Sequence, residues 1–343
     1  RTIQSSGDIF VNLTTTDAND HYAFTEVDDD LLLWMRMDDI NSSGDPQDSS
    51  RYGNHGTIND SAAQTDAGYF GDGFAFDGIG DYISLDPSRQ VSQYDAYSIS
   101  AWFKTRDSDS GVIYGEAASL DSSHFMFILS SSGGIYLRKN DGEIVALTLS
   151  SPVGSADGEW HHVVAVQRAS DDYELYFDGA SVGTDSTDIG VPTIDNMAIG
   201  DINVGGFHGR FNGTIDEVMV FNRSLSLAEV QSLHNASKYQ YESNITGLTE
   251  GLHNFTGHVV DKAGNHNQTL MREVAINGTK WCGNITEPGS YAQLDDIDVS
   301  EFGVGADEAC IDFSADDIAF DMSGYHIDRD LEGLHGSSDG KGF

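Results

Sequence analysis

The sequence has no run of 18 or more apolar residues, so no segment reads as a membrane-spanning helix. It is short of positive charge: 17 Lys and Arg stand against 56 Asp and Glu, for a formal net charge of -39. A surface that negative repels nucleic acid and anionic membranes, and suits high salt or a cation-rich exterior. There are five Pro and two Cys. The cysteines, Cys282 and Cys310, come with neither a C-x-x-C pair nor the His spacing of a zinc site. A bridge between them would close a loop of about 28 residues and contribute roughly 3 kcal/mol by chain entropy; two buried thiols are the alternative. There is no initiator Met and no signal peptide, so the 343 residues read as a processed product or an excerpt of a longer protein.

What is plentiful is Gly, at 38, together with Ser, Thr and Asp, the residues of turns between short strands. Asparagine carries a sharper signal. Of 17 Asn, 11 begin an N-x-[ST] triplet: Asn12, Asn41, Asn59, Asn212, Asn222, Asn235, Asn244, Asn254, Asn267, Asn277 and Asn284. Chance predicts roughly three. The excess implies a glycosylated, exported protein, against the plainer reading that Ser/Thr-rich turns produce the triplets.

Residues 29–237 read as many short strands. "DLLLWMRM", "YSISAWFKT", "FMFILS", "WHHVVAVQR", "YELYFDG" and "GTIDEVMVFN" each alternate or run apolar, with Gly, Asp, Asn and Ser between them. Regular spacing without long helical patterns predicts a sandwich or jelly roll. One helix is expected at "SLAEVQSLHN", with Ser226 as N-cap, Glu229 completing a capping box, and Leu227, Val230 and Leu233 on one face.

Six segments, from "LWMRMDD…DSSRYGNHGT" through "DGEWHHVVAV" to "FNGTIDEVMVFNRSLSLAEVQSLHN", resemble in order and spacing the laminin-G-like, concanavalin A-like jelly rolls over about 200 residues. The flanks carry two further resemblances. "GLTEGLHNFTGHVVDKAGNHNQTLMREVAI" is similar to the last strands of an Ig-like module of bacterial and archaeal surface proteins, and "GDIFVNLTTTDANDHYAFTEV" supplies two more strands. "WCGNITEPGSYAQLDDIDVS" followed by "ACIDFSADDIAFDMSGYHIDRD" resembles the first coils of a right-handed parallel β-helix. The expected fold is all-β: residues 1–27 and 239–277 form two parts of an Ig-like sandwich, 28–238 an inserted jelly roll, and 278–343 a β-helix-like segment. Two separate flanking strands without a joint domain are the rival.

The resemblance also implies a site. In such jelly rolls an Asp opening the last "IDEV"-like strand commonly binds a structural Ca²⁺, with oxygen ligands from loops near the domain's start. That implies Asp216, with Asp48 and Asn54 of "GDPQDSSRYGNHG" and Asp77, backed by Asp81, of "FDGIGDY"; a metal-free strand cap is the other role open to Asp216. The glucanase relatives carry E-x-D-x-x-E on one strand, which is absent here. Strand alternation sends Glu217 to the face opposite Asp216, so a catalytic carboxylate pair is not expected. His161 and His162 fall on opposite faces and cannot share an ion, and Trp160 is expected to pack beneath the sheet. His266 lies in a polar turn and is expected to be solvated. Tyr52, Phe207 and His208 are the loop aromatics available for stacking on a sugar.

The functional reading is a non-enzymatic, extracellular, N-glycosylated surface protein of a microbe, of archaeal type, with a structural or adhesive role. Its expected partners are copies of itself, in a filament built by strand exchange through an open N-terminal edge, and glycans. The alternative is a carbohydrate-binding module of a larger cell-surface enzyme.

Overall fold

The computed structural model describes residues 2–276 except 5–6, 16–19, 92, 109–110, 119–123, 130–133, 141–144, 151–153, 189–193, 205–206 and 236–239, and beyond them six short strands between Gly283 and Asp328. Two compact units divide the chain. One comprises residues 12–243 and 257–269, the other 1–11, 244–256 and 270–343.

The first unit is a concanavalin A-like jelly roll of two large sheets. The nine-stranded sheet runs in the order Ala180–Asp185, Asp172–Phe177, Trp160–Ala169, Tyr97–Lys104, Asn212–Phe221, Leu31–Ile40 and Pro46–Asp48, with Gly73–Asp77 and Ala63–Thr65 added beside Asn212–Phe221. The seven-stranded sheet runs Val145–Ser150, Ile135–Asn140, His124–Leu129, Gly111–Ala117, Asn196–Ile199, Tyr82–Leu85 and Thr57–Asn59.

Period-two alternation explains how one strand serves two cores. In Tyr97–Lys104, the side chains of Tyr97, Ile99, Ala101 and Phe103 enter the layer between the sheets, beside Phe125, Phe127, Leu137, Val163 and Leu175. Trp102 points the other way, into a second cluster with Trp34, Val164, Val166, Met219 and Phe221. Tyr22, Phe24, Phe70, Leu225, Val230, Leu233 and Val260 complete this cluster. A third, smaller cluster lies on the outer face of the seven-stranded sheet.

The second cluster fixes the unit's boundary. The expected border at 27/28 is a tight turn: Asp28 and Asp29 adopt φ of 50 and 63°, and the Asp30 N–H donates to Val27 O over 3.0 Å. Strand His21–Val27 thereby delivers Tyr22 and Phe24 against Phe70, Trp34 and Phe221 in edge-to-face contacts at 4.7–6.0 Å. That strand also pairs with Gly251–Asp261, so sequence from both flanks of the jelly roll meets in one sheet.

The helix spans Leu227–His234 with the expected capping box: Ser226 accepts from the Glu229 N–H and the Glu229 side chain from the Ser226 N–H. Val230 and Leu233 are buried, whereas Leu227, the first helical residue, is 49% exposed, because two three-residue steps turn it about 120° away from Leu233.

In the second unit, Thr2–Gln4 pairs in parallel with Arg272–Ile276 on one side and Gly289–Ala292 on the other, so the N-terminal strand has no open edge. Further parallel pairs join Gly283–Ile285 to Ile311–Phe313, Gly289–Ala292 to Ile318–Asp321, and Ile297–Asp298 to Ile327–Asp328. Cys282 and Cys310 lie outside the described residues, as does Asn277.

Candidate functional site

The carboxylates named from the sequence are all engaged by backbone. Asp216 is fully buried. Its Oδ2 accepts the N–H groups of Tyr69 and Phe70 at 2.8 and 3.0 Å, and its Oδ1 accepts the Glu217 N–H at 2.8 Å. Asp48 organises the 48–54 loop: Oδ1 accepts from the N–H groups of Trp34 and Ser50, and Oδ2 from the Ser50 hydroxyl and the Asn54 N–H. Asn54 Oδ1 accepts the Asp86 N–H. Asp77 Oδ1 accepts the Ile79 N–H, while Asp81 accepts from the Asp77 N–H and from Ser61. The structure thus brings Asp48 together with Asn54, and Asp77 with Asp81, but neither pair with Asp216. Among the described residues, no group of three or more His, Cys, Asp and Glu is spaced to hold a metal ion. The four residues do not fit a calcium ion as one set.

Glu217 departs from the sequence reading. Register slips between Ser100 and Trp102 as Tyr97–Lys104 pairs with Asn212–Phe221, and Glu217 takes φ of 49°. This is a β-bulge, and it turns Glu217 to the same face as Asp216 rather than the opposite one. Glu217 Oε2 accepts from the Tyr22 hydroxyl at 2.6 Å and from Trp34 Nε1 at 2.8 Å, while Oε1 is buried with no hydrogen-bond partner among the described residues. Burial raises the pKa of both acids. Glu217 is pushed up to about 8, and Asp216 is raised further by the Glu217 carboxylate beside it. The two carboxyls share a face but are sealed under the aromatic cluster, which leaves no path for a sugar to reach them.

His162 is buried with one ring nitrogen 2.7 Å from Ser100 Oγ, and burial lowers its pKa to about 3. His161 faces the other way and bonds Asp178 at 2.9 Å, so the expected opposition holds. Trp160 packs against the second cluster, 5.9 Å from Tyr69, as expected. His266 is not a solvated turn residue. Its ring packs on Trp34 at 4.8 Å and lies 3.1 Å from His258, and burial holds its pKa near 4. No local pattern could signal this, because Trp34 is more than 200 residues away.

Of the expected stacking aromatics, Tyr52 is half-buried, and its hydroxyl donates to Asp29 O at 2.9 Å. Phe207 and His208 form one side of a two-residue ladder with Asn203 and Val204.

A better surface is the outer face of the seven-stranded sheet. Pairing aligns Arg138, Met126, Gly115, Ala198, Ser84 and Thr57 in one row across six strands. Small residues sit at the row's middle, and Ile202 lies over Gly115. Tyr136 and Tyr82 rest half-buried on the apolar floor of Val112, Met126, Ile128 and Ala198. Arg138 and Ser84 are also half-buried, and Asn59 Nδ2 donates to Ser84 Oγ at 3.0 Å. Tyr136 and Tyr82 stand four strands apart, roughly 19 Å at the usual strand spacing. The centre of the row is closed to solvent, with Met126 2% and Ala198 5% exposed and Ile202 over Gly115, so Tyr136, Arg138, Ser84, Tyr82 and Thr57 are the side chains this face offers a ligand. Sequence reasoning missed it because the row exists only once strands far apart in sequence are in register.

Residues 77–231 match the family profile described as the concanavalin A-like lectin/glucanases superfamily. No curated protein matches the chain. Solved structures with a similar backbone include domain 4 of AbnA, a GH43 extracellular arabinanase from Geobacillus stearothermophilus, in complex with arabinotriose. It shares 18% identity at a TM-score of 0.47, covering 60% of this chain and 98% of that one. The botulinum neurotoxin serotype D binding domain is 15% identical at 0.49, covering 61% of this chain and 52% of that one, so the chain spans about half its length. The CBM40 of the Ruminococcus gnavus IT-sialidase, bound to α2,3 sialyllactose, is 19% identical at 0.40, covering 48% and 96%.

Proposed function

We propose that this chain is an extracellular, N-glycosylated surface protein whose jelly roll binds glycans on the outer face of its seven-stranded sheet. The observation that carries the reading is the row from Arg138 to Thr57 with Tyr82 and Tyr136 at its rims. The match of residues 77–231 to a superfamily that includes lectins supports it. The interior burial of Asp216 and Glu217 favours binding over hydrolysis, since retaining glycosidases need two carboxyls open to the glycosidic bond. A glycan array probed with the intact chain tests it: binding to a family of oligosaccharides supports the proposal, and no binding at millimolar ligand removes it.

The setting is part of the same proposal. Six sequon asparagines, Asn12, Asn41, Asn212, Asn235, Asn244 and Asn267, are exposed, as acceptors of glycan must be. The parallel pairs between Gly283 and Asp328 are those a two-coil β-helix requires, and we read them so. We read the paired flanks as an Ig-like module and the protein as microbial, of archaeal type; the full-length gene tests both. Strand exchange between copies would use the outer strand Ile318–Asp321, and electron microscopy of the native material decides between filaments and single particles. The alternative, a module of a larger carbohydrate-active enzyme, employs the same face. Calcium enters through the resemblance alone. A melting midpoint raised by calcium and lowered by chelator supports it, and an unchanged midpoint removes it.

A further inference from the structure

A cavity of about 680 Å³ lies in the first unit beside the strand His266–Gln268. All three residues of one sequon, Asn267, Gln268 and Thr269, line it, and so do Leu13 and Thr14 of a second sequon, Asn12-Leu13-Thr14. Two acceptor triplets about 250 residues apart thus border one hollow.

Its walls are hydroxyl and amide groups over an aliphatic floor of Leu13 and Val259. No Lys or Arg lines it, so it is not built for an anion. Its one carboxylate, Asp261, is taken up by its own turn, accepting from the N–H groups of Ala263 and Asn265 and from Asn265 Nδ2. That leaves no free acid for a cation. His266 also faces the cavity, and its depressed pKa keeps it neutral near pH 7. The occupant that fits is a neutral, polyhydroxylated group with an apolar face.

The acceptor is poised for it. Asn267 is exposed, its Oδ1 accepts the Gln268 N–H at 2.9 Å, and its Nδ2 donates to no described residue. Thr269 is fixed to Gly257 by two bonds, N–H to O at 2.9 Å and Gly257 N–H to Oγ1 at 3.0 Å. By contrast Asn41 Nδ2 is tied to Asp45, and Asn59 Nδ2 to Thr57 O and Ser84. Among the described residues the strand His266–Gln268 pairs on one side only, with Gly251–Asp261, so among them its other edge is open.

We infer that Asn267 carries an N-linked glycan whose first sugars lie in this cavity. This rests on the reading that the chain is N-glycosylated. In the transfer, Asn267 Nδ2 bonds to the anomeric carbon of a phosphate-activated oligosaccharide. The anomeric C–O bond breaks, the phosphate leaves with the electron pair, and the amide gives up one proton to the transferase. The seated glycan covers Leu13 and Val259, and it blocks the open strand edge against pairing with another chain.

The test is the full chain secreted from a host with an oligosaccharyltransferase. Glycopeptide mass spectrometry reads occupancy at each sequon, and hydrogen exchange reads protection of Leu13–Thr15 and Gly257–Val259. The expected result is an occupied Asn267, with exchange in those segments about tenfold slower than in Asn267→Gln or in enzymatically deglycosylated chain. The Asn212→Gln control, at a different cavity, leaves it unchanged. Other sequons occupied with Asn267 bare overturns the inference while leaving the glycosylation reading standing. No sequon occupied overturns both. An occupied Asn267 with unchanged exchange overturns the seating.

Discussion

Replacing Glu217 by Gln probes the buried acid pair. Glu217 titrates near 8 in the folded chain against 4.5 when free, because burial under the aromatic cluster disfavours its charge. The sign follows from proton counting. Above pH 4.5 the unfolded chain has released this proton and the folded chain still holds it. Folding stability therefore falls as pH rises, until the folded group also ionises near 8. The slope is at most about 1.4 kcal/mol per pH unit, or about 2 kcal/mol between pH 6.5 and 8. Below 6.5 the depressed histidines His162 and His266 act oppositely, since they lose stability as pH falls. Above 8, Lys139 and Lys262, both lowered to about 8 by burial, gain stability as pH rises. Between 6.5 and 8 the raised Asp216 and His161 also lose stability as pH rises, so the difference between variant and wild type, not the slope of either alone, reads Glu217. Gln keeps an oxygen for the Tyr22 and Trp34 donors and never ionises. Urea unfolding across pH 6.5–8 should show Glu217→Gln gaining about 2 kcal/mol on the wild type by pH 8. A constant offset between the two at every pH would refute a neutral buried Glu217.

Three further substitutions test the packing. Phe24→Ala should cost about 3–5 kcal/mol in urea unfolding, because Phe24 packs on Trp34 and Phe221; a loss under 1 kcal/mol would place strand His21–Val27 outside the jelly-roll unit. Asp216→Ala strips the acceptor from the N–H groups of Tyr69, Phe70 and Glu217 and should cost roughly 3 kcal/mol or more, with or without calcium. Lys262→Met removes a half-buried ammonium whose charge burial disfavours, which offsets the lost contact with the Tyr69 ring and the lost hydrogen bond to Tyr69 O; thermal melting near pH 7 should stay within about 1 kcal/mol of the wild type, and a loss of about 3 kcal/mol or more would contradict that balance.

Much of the jelly roll was legible because alternation is a local signal. "YSISAWFKT" announces its two faces, and the Ser226–Glu229 box announces the helix. The site was not. The bulge at Glu217 breaks the period that placed it opposite Asp216, and a bulge arises from the mismatch between two strands, which neither strand states alone. His266 reads as a turn residue until Trp34 comes beneath it. The row from Arg138 to Thr57 depends on five registers at once. Asp48 and Asp81 serve their loops by accepting backbone N–H groups, a role that the same short acidic loop sequences share with metal ligation, so the sequence alone does not separate the two.

Glycan binding across the outer face of the seven-stranded sheet is the proposed activity. Its most direct measurement is the affinity of an array-identified oligosaccharide for the wild type, for Arg138→Ala with Tyr136→Ala, and for a Lys262→Met control on the other side of the nine-stranded sheet, each checked for intact melting. Removing one aromatic platform and one charged hydrogen-bond donor should weaken binding at least tenfold, about 1.4 kcal/mol, while the control binds as the wild type does. Equal affinity for all three proteins would contradict the claim.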